Sequence, residues 1–250
     1  MPSFRHGEIE LAFLDEGEGD PVVLVHGFAS NKEFNWVNPG WVSTLTGAGR
    51  RVIALDNRGH GASTKLYDIA AYSVAKMAGD VVALMDHLKI ERADVFGYSM
   101  GGRITGQLAY AHGARVRSAI IAGIGIRLTE PGFDSDKIAE ALEANSADAI
   151  TDTLALGFRL FASQTKSDLK ALAACMRNSE RTVSREAAAS IRVPVLVATG
   201  TKDDIAGPGA DLAALIPGAK LLDIPNRDHM SAVGDKVFKQ GVLDFLMQRP

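Results

Sequence analysis

The stretch Asp94-Val95-Phe96-Gly97-Tyr98-Ser99-Met100-Gly101-Gly102 carries the reading of this chain. Its first residues are a short apolar strand, and the residues from Met100 to about His112 follow a helical pattern. Between them Ser99 stands in a G-x-S-x-G frame. Such a frame predicts a sharp strand-to-helix turn with the serine at its apex and its hydroxyl exposed. Side chains two residues before or after the serine would collide, which accounts for Gly97 and Gly101. Gly102 would let the helix lie close to the strand.

The same alternation extends outward in both directions. Apolar, β-branched runs recur at Val22–Val25, Val52–Leu55, Asp94–Phe96, Ala119–Ala122, Val195–Ala198 and Leu221–Ile224. Runs of this kind are strands covered on both faces. Val74, Met77, Ala78, Val81, Val82, Met85 and Leu88 lie at helical spacing behind Ser73, a suitable N-cap, and a last helix is expected over about 235–247. Strands alternating with helices imply an α/β fold with a mostly parallel sheet, here eight-stranded, and helices on both faces. At the start, Glu8–Leu14 alternates apolar and polar residues and is expected to form an antiparallel edge hairpin with the strand after it, ending at Gly17-Glu18-Gly19-Asp20-Pro21.

Between Arg127 and Ser190 the rhythm changes. About three amphipathic helices are expected there, opened by Pro131-Gly132, with Ile138, Leu142, Ile150, Leu154, Phe158 and Phe161 on their apolar faces. An all-helical insertion before the penultimate strands reads as a cap over the C-terminal edge of the sheet, where open α/β sheets bind ligands. The expected organisation is a core domain of residues 1–126 and 191–250 with a helical cap over 127–190.

The 250 residues are 46% hydrophobic and 23% charged with a net charge of -3, a balance typical of a globular domain that offers no basic face to nucleic acid. Cys175 is the only cysteine, so no internal disulfide is expected. The N-terminal residues lack the apolar core of a signal peptide, and no apolar run approaches membrane-spanning length. A cytoplasmic protein with no membrane partner is expected, its oligomeric state open.

A serine hydroxyl is a weak nucleophile and needs a base. In sites built on this kind of turn the chain order is serine, acid, histidine. His229, in the loop Pro225-Asn226-Arg227-Asp228-His229 after the last strand, is the expected base, because His112 lies too near the end of the helix that follows Ser99. The acid should follow the strand Val195–Ala198, where Asp203 and Asp204 are both candidates. Asp228 reads as a solvated loop residue. An oxyanion needs two N–H donors, one from Met100 and one from Phe28 in the loop His26-Gly27-Phe28. His26 itself reads as a structural histidine that fixes this loop.

Four segments together resemble the α/β-hydrolase superfamily over nearly the whole chain. They are His26-Gly27-Phe28, Asp56-Asn57-Arg58-Gly59-His60-Gly61-Ala62-Ser63, the Ser99 turn, and Gly200-Thr201-Lys202-Asp203 with Asp228-His229. The resemblance implies Ser99, His229 and Asp203 as a catalytic triad, because in the family the acid stands three residues after the glycine that closes the strand. It gives a structural role to the segment from Asp56 to Ser63. Within the superfamily the chain looks most like small capped carboxylesterases, enol-lactone hydrolases and cofactor-free perhydrolases. Epoxide hydrolases and haloalkane dehalogenases place aspartate where this chain has Ser99, and many lipases carry an HGGG loop that is absent here.

The implied activity is hydrolysis of small-molecule carboxylic esters by two-step acyl transfer, with no metal or organic cofactor. Arg103, just after the turn, is similar to an arginine of the menaquinone-pathway synthase, a lyase with the same triad whose cap arginines hold substrate carboxylates. Arg127, Arg159 and Arg177 could serve so here. A small-molecule receptor is the remaining alternative.

Overall fold

A computed structural model describes residues 2–178 and 183–249. Residues 179–182 of the expected cap segment lie outside the described residues.

Eight strands form one sheet: β1 (Ser3–His6), β2 (Ile9–Glu16), β3 (Asp20–Val25), β4 (Arg50–Leu55), β5 (Ala93–Tyr98), β6 (Val116–Ala122), β7 (Val195–Gly200) and β8 (Lys220–Ile224). Their order across the sheet is β1-β2-β4-β3-β5-β6-β7-β8. The pairs from β4 through β8 are parallel, while β1 with β2 and β2 with β4 are antiparallel. The edge hairpin expected of Glu8–Leu14 therefore needs correcting. It closes with the preceding strand, His6 opposite Ile9, through the turn at Gly7, and not with the strand after it. β4 then inserts between β2 and β3, pairing Phe13 with Leu55 on one side and Val22 with Val52 on the other.

The sheet is covered on both sides. On one face α2 (Val74–His87), α3 (Met100–Ala111), α7 (Arg185–Ala189) and α8 (Gly209–Leu215) pack side chains such as Val81, Leu84, Leu108, Ala188 and Leu212 against Val23, Val95 and Ile121. Ser73 caps α2 by accepting from the Lys76 amide, as its position suggested. On the other face α1 (Trp41–Gly47) and α9 (Lys236–Gln248) bring Trp41, Leu45, Phe238 and Val242 onto Leu24, Phe96 and Ile120. Trp41, Phe96 and Phe238 meet edge to face, with centroids 4.8 to 5.6 Å apart. This geometry adds to the area they bury.

Between β6 and β7 the described residues contain α4 (Ser135–Glu143), α5 (Thr153–Gln164) and α6 (Leu169–Arg177), and then α7. The first three have a hydrophobic cluster of their own. Ile138, Leu142, Ala162 and Leu172 pack with Phe28, Ala29 and Tyr72 at the C-terminal edge of the sheet. α7 instead joins the sheet-face cluster through Ala188. Among the described residues no helix is long and apolar enough to cross a membrane.

Candidate active site

Ser99 lies between β5 and α3, in the middle of the sheet, with φ 55° and ψ -114°. That conformation is costly for a residue with a Cβ and persists only where its surroundings enforce it. Here the Ser99 amide donates to the Ala122 carbonyl of β6 at 2.8 Å. The flanking glycines do what their spacing suggested. A Cβ on Gly97 would strike the Gly101 carbonyl, and one on Gly101 would strike the Val25 carbonyl.

His229 and Asp203 come from loops after β8 and β7, and both meet Ser99 at this edge. His229 Nε2 is 2.9 Å from Ser99 Oγ, and Nδ1 is 2.8 Å from Asp203 Oδ2 and 3.0 Å from Oδ1. A carboxylate only accepts, so Nδ1 carries the proton and Nε2 is left to accept from the serine. The Asp203 side chain is buried and its Oδ1 also accepts from the Ile205 and Ala206 amides at 3.1 and 2.9 Å. Asp204 is exposed, so of the two candidates only Asp203 meets the imidazole. Asp228 is exposed as expected, but it organises the His229 loop by accepting from the amides of Met230 and Ser231 at 3.1 and 2.8 Å.

One contributor was missed from sequence. The Tyr98 hydroxyl donates to the His229 carbonyl at 2.6 Å and fixes the backbone of His229. Burial pushes this phenol well above its ordinary range. Tyr98 sits inside the G-x-S-x-G frame, where only the glycines and serine stood out.

The loop after β3 packs directly on the Ser99 turn, since a Cβ on Gly27 would lie 3.3 Å from Ser99 Cβ. Neither the Phe28 amide nor the Met100 amide has a hydrogen-bond acceptor among the described residues. Met100 opens α3, where N–H groups are free for a ligand. The loop is held from several sides. Asn35 Oδ1 accepts from the Gly27 amide at 2.9 Å, and Thr165, just past α5, donates to the Ala29 carbonyl at 2.8 Å. Lys32 and Asp56 form a buried ion pair at 2.6 Å. His26 is structural: Nδ1 donates to the Gly27 carbonyl at 2.7 Å and Nε2 accepts from the Asn57 amide at 3.0 Å.

The segment from Asp56 to Ser63 behaves as a brace. Arg58 forks onto Asp80 with two 2.6 Å hydrogen bonds, and Ser63 donates to the Asp56 carbonyl at 2.6 Å. His60 is fully buried against Phe28 and His26; Nδ1 donates to the Arg58 carbonyl, and Nε2 has no hydrogen-bond partner among the described residues. Burial, and then the neighbouring His26, pulls the His60 imidazole down to about 3. The unfolded chain takes up this proton near pH 6.5 while the folded chain does not until about pH 3. Stability contributed by His60 is therefore complete above pH 6.5 and is lost as the pH falls toward 3. The expected slope is about 1.4 kcal/mol per pH unit between those limits. Urea unfolding at pH 7, 5.5 and 4.5 should show it, and His60→Asn should flatten it by about one proton. An unchanged slope in that variant would contradict the account.

The arginines offered for a cap lyase lie differently from one another. Arg177 forks onto Glu143 at 2.8 and 2.7 Å, and Arg159 donates to the Leu142 carbonyl. Both line an outer groove that Ser99 does not reach. Arg127 and Arg103 line a cavity with Ser99. Cys175, on α6, also lines that cavity; burial pushes its thiol up to about 12, so it stays protonated.

A parallel sheet with a serine on a strained turn at its C-terminal edge defines the hydrolase class of α/β proteins. The chain belongs to the α/β-hydrolase fold family, whose model matches residues 20–174. A relative in Mycobacterium tuberculosis, BpoC, provisionally described as a non-heme bromoperoxidase, is 30% identical over 248 residues, spanning 89% of this chain and 91% of that protein. Among solved structures, the enol-lactonase from Burkholderia xenovorans LB400 superposes with a TM-score of 0.84 at 27% identity, covering 99% of this chain and 100% of that one. A thermophilic esterase from Thermogutta terrifontis gives 0.79 at 26% identity, covering 97% and 94%.

Proposed function

We propose that this protein is a carboxylic ester hydrolase in which Ser99 is the nucleophile, His229 the base and Asp203 the acid that orients the base. The observation that carries the reading is the unbroken hydrogen-bond chain from Ser99 Oγ through both nitrogens of His229 to Asp203.

His229 Nε2 takes the Ser99 proton as Oγ attacks the ester carbonyl. The Phe28 and Met100 amides receive the oxyanion, an interaction of which each donor supplies about 3–4 kcal/mol to the transition state. His229 then returns the proton to the departing alcohol. Water, deprotonated by the same nitrogen, cleaves the acyl-serine and frees the acid. The serine at position 99 argues against carrying over the epoxide hydrolase activity of a mycobacterial relative that is 36% identical over 109 residues. Opening of an enol-lactone is the second reading, favoured by the whole-chain likeness to the Burkholderia enzyme. A lactone is a cyclic ester and would pass through the same acyl-serine.

A fluorophosphonate probe is expected to add one phosphonyl group per chain, on the peptide containing Ser99. Turnover of p-nitrophenyl acetate should be lost in proportion. Full turnover in fully labelled protein, or label on another residue, would overturn the assignment.

A further inference from the structure

Two cavities open on Ser99, and they sort the two halves of an ester. The wider one has His229 in its wall, together with Leu154, Phe161 and Met230. The more enclosed one runs from Ser99 past Met100 and Arg103 to Ile124 and Met77, and His229 takes no part in it. A departing alkoxide must lie within hydrogen-bond reach of the base that protonates it. The alcohol half therefore belongs in the wider cavity and the acyl chain in the enclosed one.

The enclosed wall is largely apolar, yet Arg103 and Arg127 both line it and, among the described residues, no Asp or Glu does. Arg127 donates to the Pro131 carbonyl. The half-buried Arg103 guanidinium has neither a hydrogen-bond nor an ion-pair partner among the described residues. Elsewhere this chain pairs its withdrawn arginines, Arg58 with Asp80 and Arg249 with Asp94. Burial pulls Arg103 down to about 10, which still leaves it charged at neutral pH. An unpaired cation withdrawn from water is costly, and an anion that pairs with it recovers that cost. Arg103 follows Ser99 by four residues, so it shares the same side of the helix about 6 Å further along. Helical side chains lean toward the N-terminus, which here is the Ser99 end.

We propose that the enclosed cavity is an acyl subsite for chains ending in a carboxylate, held by Arg103, and that the preferred substrates are half-esters of short dicarboxylic acids. This rests on the ester-hydrolase reading and specifies its substrate. Ser99 Oγ bonds to the ester carbon, the carbon–alkoxide bond breaks, and the alkoxide leaves as alcohol with the proton from His229. Water then breaks the acyl–Oγ bond, returning the hydrogen to Ser99 and releasing the dicarboxylate and one proton. The distal carboxylate stays on Arg103 through both steps.

The test compares monoethyl glutarate with its neutral isostere, ethyl glutaramate, in a pH-stat. Wild-type kcat/KM should favour the half-ester by on the order of 10- to 100-fold, the range expected for a charge-assisted hydrogen-bonded pair. Arg103→Met should collapse that ratio, and Arg103→Lys should restore part of it. Glutarate should inhibit the wild type competitively at least about tenfold more tightly than butyrate, which keeps the test valid if Arg103→Met fails to fold. A wild-type ratio near one, a ratio that survives in folded Arg103→Met, or equal inhibition by the two acids would each overturn the subsite. If neither ester is cleaved, the hydrolase reading fails instead. Glutarate binding to wild type and Arg103→Lys by calorimetry then decides the subsite alone, binding that weakens in the variant supporting it and absence of binding refuting it.

Discussion

Ser99→Ala is expected to lower kcat/KM for p-nitrophenyl acetate by at least about 10⁴-fold, a loss of roughly 5 kcal/mol or more of transition-state stabilisation. The residual rate would come from binding and from the amides of Phe28 and Met100. The protein should remain folded, because among the described residues the Ser99 side chain bonds only to His229 while the turn is fixed through the Ser99 amide and the close-packed glycines. Ser99→Gly separates function from strain. Glycine accepts φ 55° without penalty, so this variant should be equally inactive and more stable by about 1 kcal/mol in urea unfolding. Retained turnover in either variant would remove Ser99 as nucleophile. A marked loss of stability in Ser99→Gly would show that the turn is not strained.

Asp203→Asn should cost about 10³- to 10⁴-fold in kcat, and Asp204→Asn less than about twofold. The direction follows from the hydrogen bonds. The Ile205 and Ala206 amides both donate to Asp203 Oδ1, so an asparagine would leave its oxygen there and turn its NH₂ toward His229 Nδ1. Nδ1 would then have to accept, which places the imidazole proton on Nε2, the atom that must be free to receive the Ser99 proton. The Asp203 variant should thus keep its KM and fold while losing kcat. Comparable losses at both positions would mean that charge near the loop matters and tautomer control does not.

Much of this was legible in the sequence because buried parallel strands advertise themselves. Val22–Val25 and Ala119–Ala122 are continuous apolar runs; the structure extends the first by Asp20 and Pro21 and the second by the buried Val116 and Ser118 and the half-buried Arg117. The Ser99 turn was legible because steric demands leave few residue choices around it. What escaped depended on long-range pairing. Nothing local in Glu8–Leu14 indicates that its second neighbour is β4, some forty residues on, or that Ser3–His6 would complete the hairpin. The short helices α1 and α8 offer too few turns for a periodic signal. Residues alone left Asp203 and Asp204 level, and burial separates them. Arg103 was visible as a residue, but its isolation is a property of which carboxylates the fold keeps away from it.

The helices that roof the serine stand on their own apolar cluster. Leu154, Phe158 and Phe161 belong to α5, whose packing partners are α4, α6 and the Phe28 loop and not either face of the sheet. On the ester-hydrolase reading, the reacting groups stand on the sheet edge while part of the wall around them comes from a layer with separate footings. The arrangement is that of a fixed handle with an exchangeable blade: if the proposed ester hydrolysis holds, substitutions along α5 are expected to redraw which alcohols are accepted while the reacting groups keep their places.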